Sequence, residues 1–226
     1  MTRTVVLTGA SGNLGRAVAS AFAGTGASLA LLDVKPGSIQ DSAMQIFVQT
    51  DLFDAQSVQA AADRILQRFG RIDVLCNLAG GFRMGSPVHE TSAQDWDFLF
   101  NLNARTVLHT AKAMVPAMLE RGGGKIVNVA AYAAQRGAAR MGAYAASKSA
   151  VIRLTETMAA ELREHNINVN CVLPTIIDTP QNRADMPDAD PRRWVAPADL
   201  AQVIVFLASE AARAIHGAAV PVRGLS

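Results

Sequence analysis

A chain of 226 residues, half of them hydrophobic, is long enough to form one α/β domain with a buried core. The formal net charge of +2, with no basic run, argues against a protein that binds nucleic acid or a membrane surface. No apolar stretch is long enough to cross a bilayer, and the first residues lack the pattern of a signal peptide, so we expect a cytoplasmic protein.

Short β-branched runs alternate with longer alanine-rich segments along the chain. The runs predict seven strands, in VVLTG, SLALLD, IFVQTD, IDVLCNLAG, KIVNVAA, INVNCVLP and AAVPV. The segments between them predict helices, in LGRAVASAFAGTG, AQSVQAAADRILQRFG, AQDWDFLFNLNARTVLHTAKAMVPAML, GAYAASKSAVIRLTETMAAELREH and PADLAQVIVFLASEAAR. Because the strands lack polar alternation, we expect helices on both faces of a parallel sheet, in one doubly wound α/β domain over residues 1–226.

A glycine-rich stretch, TGASGNLG, lies between the first predicted strand and the first predicted helix. Gly9, Gly12 and Gly15 allow a tight turn and the close approach of a pyrophosphate, whose charge then faces the helix N-terminus. A plain structural turn can have the same composition. The strand before it and the helix after it favour a dinucleotide site.

Asp33 ends the second predicted strand. An aspartate there can accept hydrogen bonds from the adenosine ribose hydroxyls. It also repels a phosphate on that ribose, by on the order of 4 kcal/mol for unit charges ~4 Å apart at an effective dielectric of 20. Arg16 and Lys35 would partly offset this repulsion, and a carboxylate at a strand end can also simply be solvated. The sequence therefore favours NAD(H) and leaves NADP(H) possible.

Tyr144 and Lys148 lie four residues apart in a predicted helix, and thus on one face of it. A nearby ammonium lowers the pKa of a phenol from about 10 toward neutrality, which makes the tyrosine a proton donor or acceptor. Such a pair also occurs on ordinary solvated helix faces. The small residues around it, from Gly142 to Ser147, leave room for another molecule and favour the functional interpretation.

Two further observations concern the rest of the chain. The stretch TIIDTPQNRADMPDADPRRWVAP is long and irregular, which is typical of a lid or binding loop. The four histidines have no metal-ligand spacing, so we expect no metal site.

These motifs together resemble the short-chain dehydrogenase/reductase family. The combination also includes Asp51 after the third strand, NLAGG at 77–81 and Asn103 in a long helix, and it covers essentially the whole chain. The resemblance implies a Rossmann-type domain with a seven-stranded sheet, a small-molecule substrate, and a homodimer or homotetramer paired through the helices around 93–119 and 142–165.

The resemblance also implies roles for individual residues. Tyr144 would be the catalytic acid or base, Lys148 would bind the nicotinamide ribose and lower the pKa of the tyrosine, and Asn103 would hold a water in a proton relay. Contacts with the cofactor are implied for Gly9, Ser11, Gly12, Asn13, Leu14, Gly15, Asp33, Asp51, Leu52, Asn77, Ala79, Gly80, Tyr144, Lys148, Pro174, Ile177 and Thr179.

The chain departs from the family pattern at two positions. Asn13 stands where a glycine is commonest, and Ala131 stands where the family has its catalytic serine. The missing serine and the segment VLPTIIDTPQNRADMPDAD resemble the dihydropteridine reductase branch of the family, which implies a quinonoid dihydropterin substrate. Phe82, Ala131 and Asn182 are the candidate substrate residues, although Phe82 can equally be a loop aromatic that covers the core.

Two other functions stay open. One is a carbonyl or 3-oxoacyl reductase in which another hydroxyl or a water replaces the serine. The other is a protein that binds NAD(H) without catalysis, for which a lost serine is expected. Because a pure binder needs no proton relay, the presence of Tyr144, Lys148 and Asn103 argues for an enzyme.

Overall fold

The structure is a computed structural model that describes residues 2–226. Seven strands form in the predicted places: β1 Thr4–Thr8, β2 Ser28–Asp33, β3 Gln45–Gln49, β4 Val74–Asn77, β5 Gly124–Val129, β6 Ile167–Pro174 and β7 Ala219–Val222. The helices are α1 Asn13–Ala23, α2 Ala55–Phe69, α3 Ala93–Phe100, α4 Thr106–Arg121, α5 Gly142–Leu162, α6 Pro180–Asp185 and α7 Pro197–Leu207. The predicted strand count is therefore confirmed.

The strands form one parallel sheet in the order β3-β2-β1-β4-β5-β6-β7. The chain builds outward from β1 to β3 and then returns to place β4 on the other side of β1. This reversal leaves a crevice at the carboxyl ends of β1 and β4, where ligands bind in doubly wound sheets. The glycine-rich turn after β1 and the segment after β4 both end at that crevice.

Alternate residues of the strands face two separate cores. Val5 and Leu7 of β1 pack in the core under α1 and α7. Val6, between them, packs in the opposite core under α2, α4 and α5. Both faces of the sheet are thus buried, which explains why the strand sequences are hydrophobic throughout.

Two segments differ from the sequence prediction. The long helix predicted from residue 93 is interrupted by a π-helical turn, Asn101–Arg105, between α3 and α4. The irregular stretch after β6 contains α6, a short 3₁₀ turn at Pro191–Arg193 and an isolated bridge between Ile177 and Val195. Trp194, which the stretch would expose if it were an open lid, is buried with 7% exposure.

Among residues 2–226, no helix combines the length and the apolar character needed to span a membrane.

Candidate active site

The turn after β1 packs too tightly for side chains at two of its glycines. Gly9 has φ +65°, a backbone conformation that L side chains rarely adopt, and a Cβ on it would lie 3.0 Å from the Cα of Ala79. A Cβ on Gly15 would lie 2.2 Å from the carbonyl oxygen of Gly9, so helix α1 can only start this close to the turn with glycine there. The turn is therefore a preformed cradle.

Helix α1 begins at this cradle without a side-chain cap, because its N-cap residue is Gly12. The amide groups of the first helical turn, at Asn13, Leu14 and Gly15, consequently keep donors for an anion, and the helix dipole favours negative charge at the same point. The residues present thus fit the pyrophosphate of a dinucleotide.

Asp33 lies at the carboxyl end of β2, beside the glycine turn. Its carboxylate accepts hydrogen bonds from the amides of Ser11 at 2.9 Å and Val34 at 2.8 Å. Arg16 folds over the same turn and donates to the Ser11 carbonyl and, at 2.6 Å, to the side chain of Asn13. A carboxylate and a guanidinium therefore both border the place where a ribose of the cofactor would lie.

Asp51 and Leu52 follow β3 on the same edge of the sheet. The Asp51 side chain accepts from the amide of Phe53 at 2.9 Å, and Leu52 is buried. The carbonyl of Leu52 lies 2.9 Å from Nδ1 of His109 in α4, which anchors this loop. Both residues remain predicted neighbours of the adenine.

The backbone of the segment after β4 is anchored by the side chain of Thr8, the last residue of β1. Oγ1 of Thr8 accepts from the amides of Leu78 at 3.0 Å and Ala79 at 3.1 Å.

Asn77, predicted to line the cofactor, is buried with its side chain turned inward. Its side-chain amide donates to Asn128 at 2.8 Å, and its side-chain oxygen accepts from Thr110 at 2.8 Å. Its side chain thus ties β4 to β5 and α4, and the contact of Asn77 with the cofactor stays a prediction.

Asn103 lies in the π turn and ties three parts of the site together. Its Oδ1 accepts from the amide of Gly81 at 2.9 Å, and its Nδ2 donates to the Gly81 carbonyl at 3.1 Å and to Oγ of Ser147 at 3.0 Å. Ser147 in turn donates to the carbonyl of Tyr144 at 2.8 Å. The extra residue of a π turn moves the side chain out of α-helical register, a feature common at functional sites.

Lys148 is buried on α5, and its Nζ donates to the carbonyl of Val129 at the end of β5 at 2.8 Å. A Cβ on Gly80 would lie 2.8 Å from that Nζ, so glycine is what lets the loop pass this close to the ammonium. Burial lowers the pKa of Lys148 to about 8. The Lys148 ammonium is therefore mostly charged at neutral pH, and it loses its proton as the pH rises through about 8.

Tyr144 lies one turn before Lys148 on α5. Burial raises the pKa of Tyr144 to about 12, which is opposite to the lowering expected from the neighbouring lysine. Desolvation disfavours the charged phenolate, and it is the cause of this rise. Tyr144 therefore holds its proton at neutral pH, which suits a proton donor.

Ala131 follows β5 and is buried, with a methyl group at the position where the sequence resemblance implies a serine hydroxyl. The next residue, Tyr132, does not replace that hydroxyl, because the Tyr132 hydroxyl is 3.4 Å from a nitrogen of Arg223 and the Arg223 guanidinium stacks on the tyrosine ring at 4.6 Å.

Phe82 is half exposed, and its ring meets the ring of Tyr144 edge-on, with centroids 4.9 Å apart. Phe82 is therefore an aromatic wall beside the candidate proton donor.

The segment after β6 is held by its own hydrogen bonds. Thr179 caps α6 by accepting from the amide of Asn182 at 3.1 Å, and the Asn182 side chain donates to the carbonyl of Ile177 at 2.7 Å. Pro174 is the last residue of β6 and pairs with β7. The Asn182 side chain thus shapes the segment through this hydrogen bond, and its contact with a substrate stays a prediction.

Sequence reasoning missed three residues that organise the site: Thr8, Gly81 and Ser147. Each acts through a partner that is distant in the chain, so spacing alone gave little signal. Gly81 and Ser147 do lie inside the motifs NLAGG and YAASK, but no role was predicted for either residue.

A cavity of about 190 Å³ lies at the edge of the sheet where the strands begin, opposite the edge that carries the glycine-rich turn. Its charged groups are already engaged: Asp73 with Arg71 at 2.7 Å and with Arg121, Lys125 with Glu210 at 3.4 Å, and Arg3 with the carbonyl of Ala208 at 3.1 Å. It lies far from the glycine turn. Within residues 2–226, no three histidine, cysteine, aspartate or glutamate side chains come together as metal ligands.

The fold and this site define a dinucleotide-dependent oxidoreductase, in which a glycine cradle for pyrophosphate and a tyrosine–lysine pair share one crevice. The short chain dehydrogenase family model matches residues 3–190, and the chain belongs to that family.

Relatives and solved structures match over nearly the full length. D-threitol dehydrogenase of Mycolicibacterium smegmatis is 36% identical, with 98% of this chain and 92% of the relative covered. The 3-oxoacyl-acyl-carrier-protein reductase of Thermotoga maritima is 30% identical, with 98% and 96% covered. NAD⁺-bound xylitol dehydrogenase superposes with a TM-score of 0.90 at 27% identity, covering 98% of each chain. ElxO with NADP bound has a TM-score of 0.91 at 26% identity, covering 99% of this chain and 98% of the other.

Proposed function

We propose that this short-chain reductase uses NADH to reduce a small planar heterocycle of the quinonoid dihydropterin type. The observation that carries the proposal is the methyl group of Ala131 at the position of the family's serine. The exposed face of Phe82 beside Tyr144 supports it, because a ring there can stack on a flat substrate.

The missing hydroxyl matters differently for different substrates. A ketone develops an oxyanion during reduction, and removing one hydrogen-bond donor to an oxyanion costs about 10²- to 10³-fold in rate. A quinonoid ring spreads the incoming electron pair over several atoms and regains conjugation. It therefore needs less stabilisation at any single oxygen.

The remaining steps are hydride transfer, proton donation and the positioning of the groups that take part. Nicotinamide supplies the hydride when the cofactor is bound. Tyr144 donates the proton that completes the two-electron reduction, and its raised pKa keeps it protonated for this step. Lys148 holds a positive charge one helical turn after the tyrosine, and Asn103 keeps Gly81 and Ser147 in place around the pair.

NADH is the proposed cofactor because Asp33 opposes a phosphate on the adenosine ribose. Unit charges ~4 Å apart interact by about 4 kcal/mol at an effective dielectric of 20. Arg16 is engaged with Ser11 and Asn13, which weakens it as a phosphate ligand. NADPH binding through Arg16 is the outcome that a side-by-side titration of the two cofactors would reveal.

A second candidate is a carbonyl or polyol oxidoreductase. The observation that favours it is the similarity to D-threitol dehydrogenase and to a 3-oxoacyl-acyl-carrier-protein reductase. In that case a water held near Asn103 would replace the serine hydroxyl.

The deciding experiment measures NADH oxidation with a freshly generated quinonoid dihydropterin. The same assay is run in parallel with an acetoacetyl thioester and with the four-carbon ketose that is formed when threitol is oxidised. We expect kcat/KM for the dihydropterin to exceed the values for both carbonyl compounds. Faster turnover of a carbonyl compound would assign the second candidate instead. No turnover with any of them, together with tight NADH binding, would indicate a non-catalytic binder.

A further inference from the structure

A small cavity of about 50 Å³ lies next to Tyr144, between residues 83–91 and residues 140–144. A water molecule needs ~10–15 Å³ in such a cavity, so this one has room for a few waters or one small chemical group. It is too small for a bicyclic ring. It therefore suits a substituent of a substrate whose reacting part lies at Tyr144.

Two guanidinium groups line this cavity, and only one of them is neutralised. Arg83 forms an ion pair with Asp95 at 2.8 Å and stacks on Phe98 at 4.0 Å. Arg140 has no carboxylate within ion-pair distance among residues 2–226, and only its Nε is engaged, with the carbonyl of Gly85 at 3.3 Å. Arg140 is exposed, and its guanidinium is thus a cation at the border of the cavity without a carboxylate partner in the described part of the chain.

The backbone of Arg140 is in the left-handed region, with φ +62°. Among the described residues, the other non-glycine residue with positive φ is Asn166, of a type that tolerates this conformation well. The Gly85 amide donates to the Arg140 carbonyl at 2.8 Å and holds the backbone in place. Glycine would fit here without strain, so the presence of an arginine at this strained position points to a use for its side chain.

We propose that Arg140 determines substrate specificity by binding a carboxylate on the substrate. The guanidinium offers two free terminal nitrogens, which match the two oxygens of a carboxylate. The proposed function identifies the reacting part of the substrate, and this inference adds that the same molecule carries an anionic group directed into the cavity. The inference rests on the proposed location of the active site and not on the chemical nature of the reacting ring.

The test compares pairs of substrates that differ only in charge. Acetoacetate and methyl acetoacetate form one pair, and a quinonoid dihydropterin with and without a carboxylate-bearing side chain forms the other. The variant Arg140→Gly removes the cation and relieves the backbone strain, so a folding defect is not expected. Arg136→Gln is the matched control, because Arg136 is exposed on the same loop with extended backbone and does not line the cavity.

We expect Arg140→Gly to raise KM for the charged member of a pair by tenfold or more. Its effect on kcat and on the neutral member should be small, and Arg140→Lys should recover part of the loss. Thermal unfolding of Arg140→Gly should occur at or above the parent temperature. Equal effects on both members, or no effect on either, would overturn the inference.

Binding gives a second readout that does not depend on turnover. Pterin-6-carboxylate and pterin are titrated against the enzyme–NADH complex, and acetoacetate and methyl acetoacetate against the same complex. Preference for the charged member in either pair, lost in Arg140→Gly, supports the inference even if dihydropterins are not reduced. Absence of that preference in both pairs refutes it even if dihydropterins are reduced.

Discussion

Tyr144 and Lys148 lie one helical turn apart on α5, and burial acts on both side chains. It raises the pKa of Tyr144 to about 12 and lowers that of Lys148 to about 8. In both cases desolvation penalises the charged form. The tyrosine is consequently a stable proton donor, while the lysine is the group whose charge changes in the working pH range.

The first prediction concerns this lysine. The ammonium is present below pH 8 and lost as pH rises through about 8, so kcat/KM for reduction should fall above that pH. Tyr144 does not contribute to this decline, because it stays protonated to about pH 12. The pH profile of kcat/KM reports free-enzyme pKa values and checks the prediction. Lys148→Arg is the control: arginine keeps its charge, and the alkaline decline should disappear.

A profile of the parent enzyme that stays flat to pH 10 would contradict the titration of Lys148.

The second prediction concerns Tyr144. Tyr144→Phe should lower kcat by about 10²-fold or more, within the usual range for general acid catalysis. NADH affinity should barely change, because the phenol acts in the transition state. Steady-state kinetics and a fluorescence titration with NADH measure the two quantities. Loss of NADH binding in this variant would show that the hydroxyl serves the cofactor instead.

The third prediction restores the missing hydroxyl. Ala131→Ser should leave quinonoid reduction unchanged or lower it, and it should raise ketone reduction. The reason is that only the ketone develops an oxyanion that needs the extra donor. Rates with both substrate types check this. A parent enzyme that already reduces ketones efficiently would mean that another donor replaces the serine.

At the scale of elements, the glycine turn and α1 act as one unit. A Cβ on Gly15 would meet the backbone of Gly9 at 2.2 Å and of Ala10 at 2.7 Å, and neither backbone can move without opening the cradle. The pyrophosphate site thus depends on the close approach of a helix to the turn that precedes it.

The fourth prediction follows from this contact. Gly15→Ala should weaken NADH binding by tenfold or more, with a loss of folding stability of about 1–3 kcal/mol, the usual range for overpacking. Gly137→Ala is the matched control, because a Cβ on Gly137 meets nothing within 4 Å. Isothermal titration with NADH and chemical unfolding measure the two effects. Unchanged NADH affinity in Gly15→Ala would place the pyrophosphate elsewhere.

At the scale of the whole molecule, the long helices leave apolar side chains in solvent. Leu108 and Leu119 of α4 are 57% and 38% exposed, and Trp96 of α3 is 44% exposed. The large exposed hydrophobic residues include none on α5, so α4 and α3 supply the apolar part of the face expected to pair subunits. Apolar groups on one face are typical of an interface between copies.

The fifth prediction is that the protein forms a homodimer or homotetramer through this face. Leu108→Glu should shift the mass measured by light scattering at micromolar concentration toward the monomer, because a buried unpaired carboxylate is costly. Phe206→Glu, at a similarly exposed position on α7, is the matched control. A monomeric parent protein would refute the prediction, and dissociation only in the Phe206 variant would assign assembly to α7.

The sequence by itself determined the features that depend on local pattern. All seven strands, the glycine-rich turn and the placement of Tyr144 and Lys148 one turn apart on a helix follow from periodicity and spacing within short segments. The order in which strands, helices and turns alternate also determined the doubly wound class. These features were predictable because each depends on residues that are close together in the chain.

Only the tertiary structure decided features that depend on distant residues. Asn77 turns inward because Asn128 and Thr110 are its partners, and Asn103 reaches Gly81 and Ser147 through a π turn that no local pattern indicated. The pKa of Tyr144 rises because the surrounding fold removes water, whereas spacing to a lysine predicted the opposite direction. Desolvation and long-range packing are properties of the assembled fold, and that is the physical reason why the sequence could not supply them.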